Sequence, residues 1–386
     1  FTVWVATKYG DDEIKHISKL IKDHHLGGLI FSLGNIKDQA KAINKFQEIS
    51  KVPLLISMDA EWGIGMRLDD AFSFPYNMTL GAIKNDSLVY KVGKRIGYHA
   101  KRLGVHINFA PVVDINTNPR NPIIGSRSFG EDKFNVANKG ISYLKGMHEY
   151  GIMGAAKHFP GHGDTETDSH KTLPTISFKK DRISDVELYP FKKLIENNLD
   201  GIMTAHLNIP NLDKKEISTL SQKVINNLLV NDLGFEGLVI TDALDMKAIV
   251  DFSKGDYPDI TALNAGNDLL LMPTDVAKSI KEIKKAYQKN KISPQRLESA
   301  VKKILHAKYK AGLSDLKPVE IDNIVDDLNQ DIDYALLDRV AEESITLVKN
   351  QNLNIPLDIS NNQSVGYVNF GDDSYNTFIN YINKYK

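Results

Sequence analysis

The sequence predicts an α/β protein: a (β/α)8 TIM-type barrel followed by the start of a second α/β unit. Three observations lead there. Eight short apolar, β-branched runs recur, at 2–6, 27–31, 53–58, 105–110, 152–156, 201–205, 237–241 and 267–272. Stretches with helical spacing separate most of them, as a βαβ repeat requires. Finally, Asp59, Asp114, Lys157, His158, His206 and Asp242 each fall at or just past the carboxyl end of a predicted strand, where barrels build their active sites. Continuous apolar strands alone fit a doubly wound open sheet equally well. Such a sheet would gather its polar residues at one switch point, whereas here they are spread over several strand ends.

The elements follow in order. The chain begins FTVWVATKYG, without an initiator Met and already inside a strand, and reads as processed or trimmed, with a signal peptide removed before Phe1. DDEIKHISKLIKDHH, IKDQAKAINKFQEIS and DSLVYKVGKRIGYHAKRL repeat their apolar residues at helical spacing between the early strands. Ser293 and Pro294 read as N-cap and first residue of the helix QRLESAVKKILHAKYKAGL, with Gly312 as its stop. The barrel is therefore expected over 1–313. Residues 314–333, rich in Asp and carrying Pro318, read as a linker. In 334–386, ALLDRVAEESITLVKN reads as a helix entering a strand and SVGYVNF as another strand, a partial or truncated second α/β domain.

Composition excludes several function classes. The 386 residues are 42% hydrophobic and 25% charged, as in an ordinary globular protein. With 48 basic against 49 acidic residues there is no electrostatic reason to expect nucleic acid or an anionic membrane as partner. No apolar run is long enough to span a bilayer. With no cysteine, disulfides, thiolate catalysis and cysteine-ligated metal are excluded.

The densest chemistry lies in 154–174, GAAKHFPGHGDTETDSHKTLP, where an apolar run ends at Lys157 and His158 and a glycine-punctuated loop carries His162, Asp164, Asp168 and His170. The loop is longer than an ordinary strand-to-helix connection, which points to function. If it is extended, Asp168 and His170 share a face, so the carboxylate can fix the imidazole tautomer and make His170 a general acid/base. The bland reading is a set of turn-forming polar residues. A zinc site is the sharper rival, with His158, His162, Asp164 and His170 as ligands. The first strand lacks the His-x-His pair that barrel metallohydrolases place there, so no metal and no cofactor are expected.

In GLVITDALDMKAI a buried strand ends at Asp242, whose carboxylate would point into the barrel mouth and could attack a carbon centre. The alternative is a helix N-cap, a role that Asp245 fits as well. Beyond the third and fourth strands stand Asp59, Glu61, Trp62 and Arg67, then Asp114, Arg120 and Arg127. Carboxylates, guanidinium groups and an aromatic ring suit a network of sugar hydroxyls, each of which both donates and accepts. Surface salt bridges are the plainer alternative.

KHFPGHGDTETDSH, APVVDINTNPRNPIIGSRSFGED, GLVITDALDMKAI and PLLISMDAEWG together resemble the family 3 glycoside hydrolases, in the β-N-acetylhexosaminidase branch, over residues 27–312. The resemblance implies a (β/α)8 barrel. It implies Asp242 as catalytic nucleophile, forming a covalent glycosyl-enzyme, and His170 with Asp168 as the acid/base dyad on a mobile loop. It also implies that Asp59, Arg67, Arg127, Lys157 and His158 hold the sugar. Many members read Glu-Gly-Gly-Arg after the third strand's aspartate; here the text is Glu61-Trp62-Gly63-Ile64, with the retained arginine at Arg67. That variant looks like a subgroup with a further C-terminal domain whose members are exported, so a periplasmic or cell-surface location is expected.

The expected function is a retaining exo-β-N-acetylglucosaminidase acting on peptidoglycan fragments or related amino sugars. The alternatives are a β-glucosidase or phosphorolytic variant on the same barrel, a metal-dependent barrel hydrolase, and a non-catalytic carbohydrate-binding barrel. A carbohydrate is the expected partner.

Overall fold

The computed structural model describes residues 1–168, 172–253, 257–351, 355 and 380–381. Its centre is a seven-stranded, wholly parallel sheet in the order β1 to β7. The strands are β1 Thr2–Ala6, β2 Gly28–Ser32, β3 Leu55–Met58, β4 Ile107–Asn108, β5 Met153–Phe159, β6 Gly201–Thr204 and β7 Leu238–Thr241. Seven of the eight expected runs thus contain strands, although the fourth is regular over two residues only. The eighth appears as isolated bridges: Leu269 pairs with Ile240 of β7, and Leu271 pairs with Thr2 of β1. Backbone bonds from Thr241 N to Leu269 O (3.0 Å) and from Met272 N to Thr2 O (2.9 Å) accompany them.

The strands are buried on both faces, as parallel sheets covered by crossover helices must be. Alternation sorts their side chains. Leu29, Phe31, Ile56, Met58, Ile202 and Val239 join the large core that also contains helix residues such as Ile43, Val92 and Leu144. Their neighbours Ile30, Leu55, Ile107, Met153, Met203, Leu238 and Ile240 meet on the opposite face in one separate cluster with Leu269 and Leu271.

Helix starts are set by side-chain caps. Asn35, Asn85, Asp132, Asp275 and Ser293 each accept a bond from a first-turn backbone N–H. Ser293 and Pro294 open the helix Pro294–Lys310 as expected, and Gly312, at φ +81, follows its end.

The expected boundary at 313 is not where the structure divides. The compact unit runs Phe1–Ser344, and a second begins at Ile345. Residues 314–333, expected as a linker, are fastened: Asn44 and Val319 exchange two bonds (2.8 and 2.7 Å), and Arg102 donates to Asp327 at 2.8 Å. The helix Asp331–Ser344 is locked by Asp333, whose fully buried carboxylate accepts from Arg95 at 2.7 and 3.0 Å and lies 3.1 Å from His99 Nε2. Burial opposes that charge, but His99 and Arg95 outweigh it and hold the carboxyl below its usual range. In the second unit, residues 345–350, expected to enter a strand, carry no regular structure. The expected strand at 364–370 lies outside the described residues.

Replacing Asp333 by Asn should cost about 3 kcal/mol at neutral pH, because Arg95 is left without its anion. A carboxyl depressed in the folded state contributes stability that is present above its unfolded pKa, near ~4, and lost as pH falls through the folded one. Urea melts from pH 7 to pH 3 should therefore show the wild-type advantage shrinking below about pH 4. An acid-independent difference would contradict this.

Candidate active site

The β3, β4, β5 and β7 ends surround a cavity of about 400 Å³, lined on its polar side by Asp59, Glu61, Arg67, Arg127, Lys157, His158, His162, Asp242 and Asp245. Trp4, Met66, Ile123, Met203, Met246 and Met272 supply its apolar wall.

On the β3 and β5 side the polar wall is one continuous network. Lys157 Nζ donates to Asp59 Oδ1 at 2.7 Å and lies 2.9 Å from Glu61 Oε1. Arg67 donates to Asp59 Oδ2 (3.0 Å) and to its carbonyl (3.1 Å). Arg127 grips Glu61 through two bonds, 3.0 and 2.7 Å, and its Nη2 lies 3.4 Å from His158 Nε2. Such bidentate pairs fix orientation as well as charge. Burial opposes the charge on Asp59 and Glu61, but Lys157 and the arginines outweigh it and hold both carboxyls below their usual range.

Asp114 organises the β5 end from behind. Its buried carboxylate accepts from the backbone N–H of His158 (3.1 Å) and of His162 (2.7 Å), and stands 2.7 Å from His158 Nδ1. Burial opposes its ionisation and the two histidines overcome it. Because Nδ1–H donates to that carboxylate, His158 Nε2 is the nitrogen left to face the cavity. Lys157 and His158 are consecutive yet both line it. The β5–β6 register shifts between Ala156 and Phe159, the kind of irregularity that re-aims strand side chains. The peptide bond between Lys157 and His158 is cis.

The loop after β5 is pinned to the β4 connection. Thr117 donates to Asp164 at 2.9 Å, Asn121 to the His162 carbonyl at 2.8 Å, and Arg120 pairs with Glu166. Gly163 lies so close that an added Cβ would stand 1.8 Å from the Ile115 carbonyl oxygen. Burial and the nearby His158 lower His162 to about 4. Its imidazole is therefore neutral at neutral pH. Asp168 is half-buried and its carbonyl accepts from Thr172 N at 2.9 Å. His170 lies outside the described residues.

Across the cavity, Asp242 follows β7 directly. Its Oδ1 accepts from the Ala243 N–H at 2.8 Å, and its backbone N–H donates to Thr204 of β6 at 3.0 Å. Burial opposes its charge, but His206, His158, that backbone bond and Lys157 together hold the carboxyl below its usual range. Asp242 is an ionised carboxylate in a cavity rich in donors. The next helix begins only at Lys247, so the bond from Ala243 is not a helix cap.

Of the sequence-predicted residues, Asp59, Arg67, Arg127, Lys157, His158 and Asp242 come together here. Arg120 does not: its side chain is 78% exposed. Trp62 packs edge-on against Tyr76, with ring centroids 4.5 Å apart, and the cavity's tryptophan is Trp4. Trp4 sits mid-strand in an apolar run, where a core role is the default reading. His162, weighed from the sequence as a turn former or a zinc ligand, also lines the cavity. Among the described residues no three His, Asp or Glu side chains are grouped as metal ligands.

Residues 3–307 match the Glycosyl hydrolase family 3 N terminal domain. The chain belongs to glycosyl hydrolase family 3. Beta-hexosaminidase A of Pseudoalteromonas piscicida is 35% identical to this family 3 chain over 328 residues, 76% of the chain and 55% of that protein. The beta-N-acetylglucosaminidase/beta-glucosidase of Cellulomonas fimi is 28% identical over 347 residues, 87% of the chain and 62% of that protein. The chain thus spans somewhat over half the length of each. The solved structure of a glycoside hydrolase family 3 beta-N-acetylglucosaminidase from Paenibacillus sp. str. FPU-7 is similar with a TM-score of 0.84 and 36% identity, over 90% of this chain and 68% of that one.

Glu61 is 1% exposed and holds two cations, so Glu61→Ala should destabilise the protein by about 3 kcal/mol. Urea unfolding checks this. A loss under about 0.5 kcal/mol would show that the network does not support the fold.

Proposed function

We propose that the chain is the catalytic part of a retaining, exo-acting β-N-acetylglucosaminidase. The observation that carries the reading is Asp242: an ionised carboxylate facing a cavity whose other wall is the Lys157, Arg67 and Arg127 network. The family match and the activities named for the relatives above support it. A cavity of this size suits one sugar residue rather than a chain passing through.

In this reading the Asp59–Lys157–Arg67 and Glu61–Arg127 groups, with His158, hold the ring hydroxyls, because each hydroxyl needs both a donor and an acceptor. Trp4 and the methionines cover the ring's apolar face. Asp242 attacks the anomeric carbon, the glycosidic C–O bond breaks, and the leaving oxygen takes a proton from His170, which Asp168 orients. Water then attacks the same carbon, gives its proton to His170, and returns the bonding electrons to Asp242. We also read the sheet as a (β/α)8 barrel, closed by 269–271 between β7 and β1. The proposed location, by resemblance to the exported subgroup, is the periplasm or cell surface, and the proposed substrates are peptidoglycan fragments or related β-linked amino sugars.

A second reading has one specific support: the Cellulomonas fimi relative carries both activities in its name. Chromogenic N-acetyl-β-glucosaminide and β-glucoside, each with and without phosphate, separate the two. The amino sugar should be the better substrate and phosphate should not accelerate turnover; a strongly preferred glucoside would overturn the assignment. Asp242→Asn should lower kcat by roughly three orders of magnitude or more with the fold intact. Near wild-type turnover would remove Asp242 from the mechanism.

A further inference from the structure

The peptide that carries Asp242 rests on another imidazole. His206, two residues past β6, is fully buried, and each ring nitrogen has a partner. Nδ1 lies 2.8 Å from Thr219 Oγ1, and Nε2 lies 2.9 Å from the Ala243 carbonyl oxygen. These partners determine the protons. A carbonyl oxygen only accepts, so Nε2 carries a hydrogen. The Thr219 hydroxyl has one proton, and its oxygen stands 2.7 Å from the Ala205 carbonyl and 3.4 Å from that of Thr204. An oxygen pair at 2.7 Å needs a proton between its members, and a carbonyl has none to give. Thr219 therefore accepts from His206, and Nδ1 carries a hydrogen as well.

We propose that His206 is an imidazolium and is the positioning residue for Asp242. Its Nε2–H holds the Ala243 carbonyl, and the same residue's N–H donates to Asp242 Oδ1 at 2.8 Å, so the ring sets the angle at which the carboxylate meets the sugar. The inference rests on Asp242 being the nucleophile. A buried cation needs an anion nearby, and Asp242 supplies it. The other charged or titratable groups on this cavity are Asp59, Glu61 and Arg67 past β3, Arg127 past β4, Lys157, His158 and His162 from β5 and the loop after it, and Asp245 on the same segment as Asp242. The cation acts on both chemical steps. It keeps Asp242 ionised before attack, and it favours cleavage of the ester, because that cleavage restores its anionic partner.

Two substitutions separate charge from position. Thr219→Val removes the acceptor for Nδ1 and leaves the Nε2–H contact, so the ring should become neutral in place. His206→Gln removes the ring. With ¹⁵N-labelled histidine in the full chain, His206 is assigned by the signal lost in His206→Gln. The wild-type ring should show two protonated nitrogens at neutral pH, and Thr219→Val should show one. Removing the cation raises the Asp242 pKa, so the acid limb of kcat/KM should move up by roughly one pH unit in both variants. A neutral His206 in the wild type, or a uniform loss of activity with the acid limb unmoved, would overturn the proposal. The wild-type spectrum stands even if a variant fails to fold. If Asp242→Asn retains activity the nucleophile assignment fails whatever the spectrum shows, whereas an inactive Asp242→Asn beside a neutral His206 sinks this inference alone.

Discussion

One buried ammonium group governs this site. Lys157 is 2% exposed and divides its charge between Asp59 and Glu61 at 2.7 and 2.9 Å. Two carboxylates so close would repel each other and one would take up a proton. The lysine, with Arg67 and Arg127 on the outer flanks, lets both stay ionised. The β3 and β5 ends are therefore tied by charge as well as by the core, and the cavity keeps a fixed set of donors and acceptors without a bound ligand.

From that tie the rest of the wall follows. Asp114 gathers two backbone N–H groups and one imidazole nitrogen from the start of the β5 loop, which fixes His158 beside Lys157 and sets the loop's first turn. Asn121, Thr117 and Gly163 then hold that loop against the β4 connection up to Thr165. On the other side Asp242 stands apart from the cation network and is held by its own neighbours, Ala243 and Thr204. The site thus has a pre-organised binding wall and a separately supported reactive carboxylate, a division suited to chemistry that needs charge in one place and grip in another.

Much of this was legible in the sequence for physical reasons. Parallel strands buried on both faces leave uninterrupted apolar runs, and functional residues at strand ends break those runs abruptly, which is why Lys157, His158 and Asp242 stood out. Asp59, Arg67 and Arg127 were recovered through motif resemblance, since an isolated surface salt bridge has the same composition. Three features stayed hidden. Trp4 is an apolar residue in an apolar strand, and nothing local distinguishes the cavity wall from the core. Trp62, the conspicuous aromatic beside Glu61, packs on Tyr76 instead of lining the cavity. The stretch 314–333 looked like a polar linker because Asp327 and Asp333 have no partners nearby in sequence. Their partners, Arg95, His99 and Arg102, lie more than two hundred residues away.

The most direct measurement is to trap the covalent intermediate. Incubation with a fluorinated N-acetylglucosaminyl fluoride, which forms a glycosyl-enzyme that hydrolyses slowly, followed by peptide mass spectrometry, reports which residue bonds the sugar. The account predicts one glycosyl adduct, on Asp242, within the peptide spanning 237–247. A stoichiometric adduct on any other carboxylate, or full turnover with no adduct at all, would contradict it.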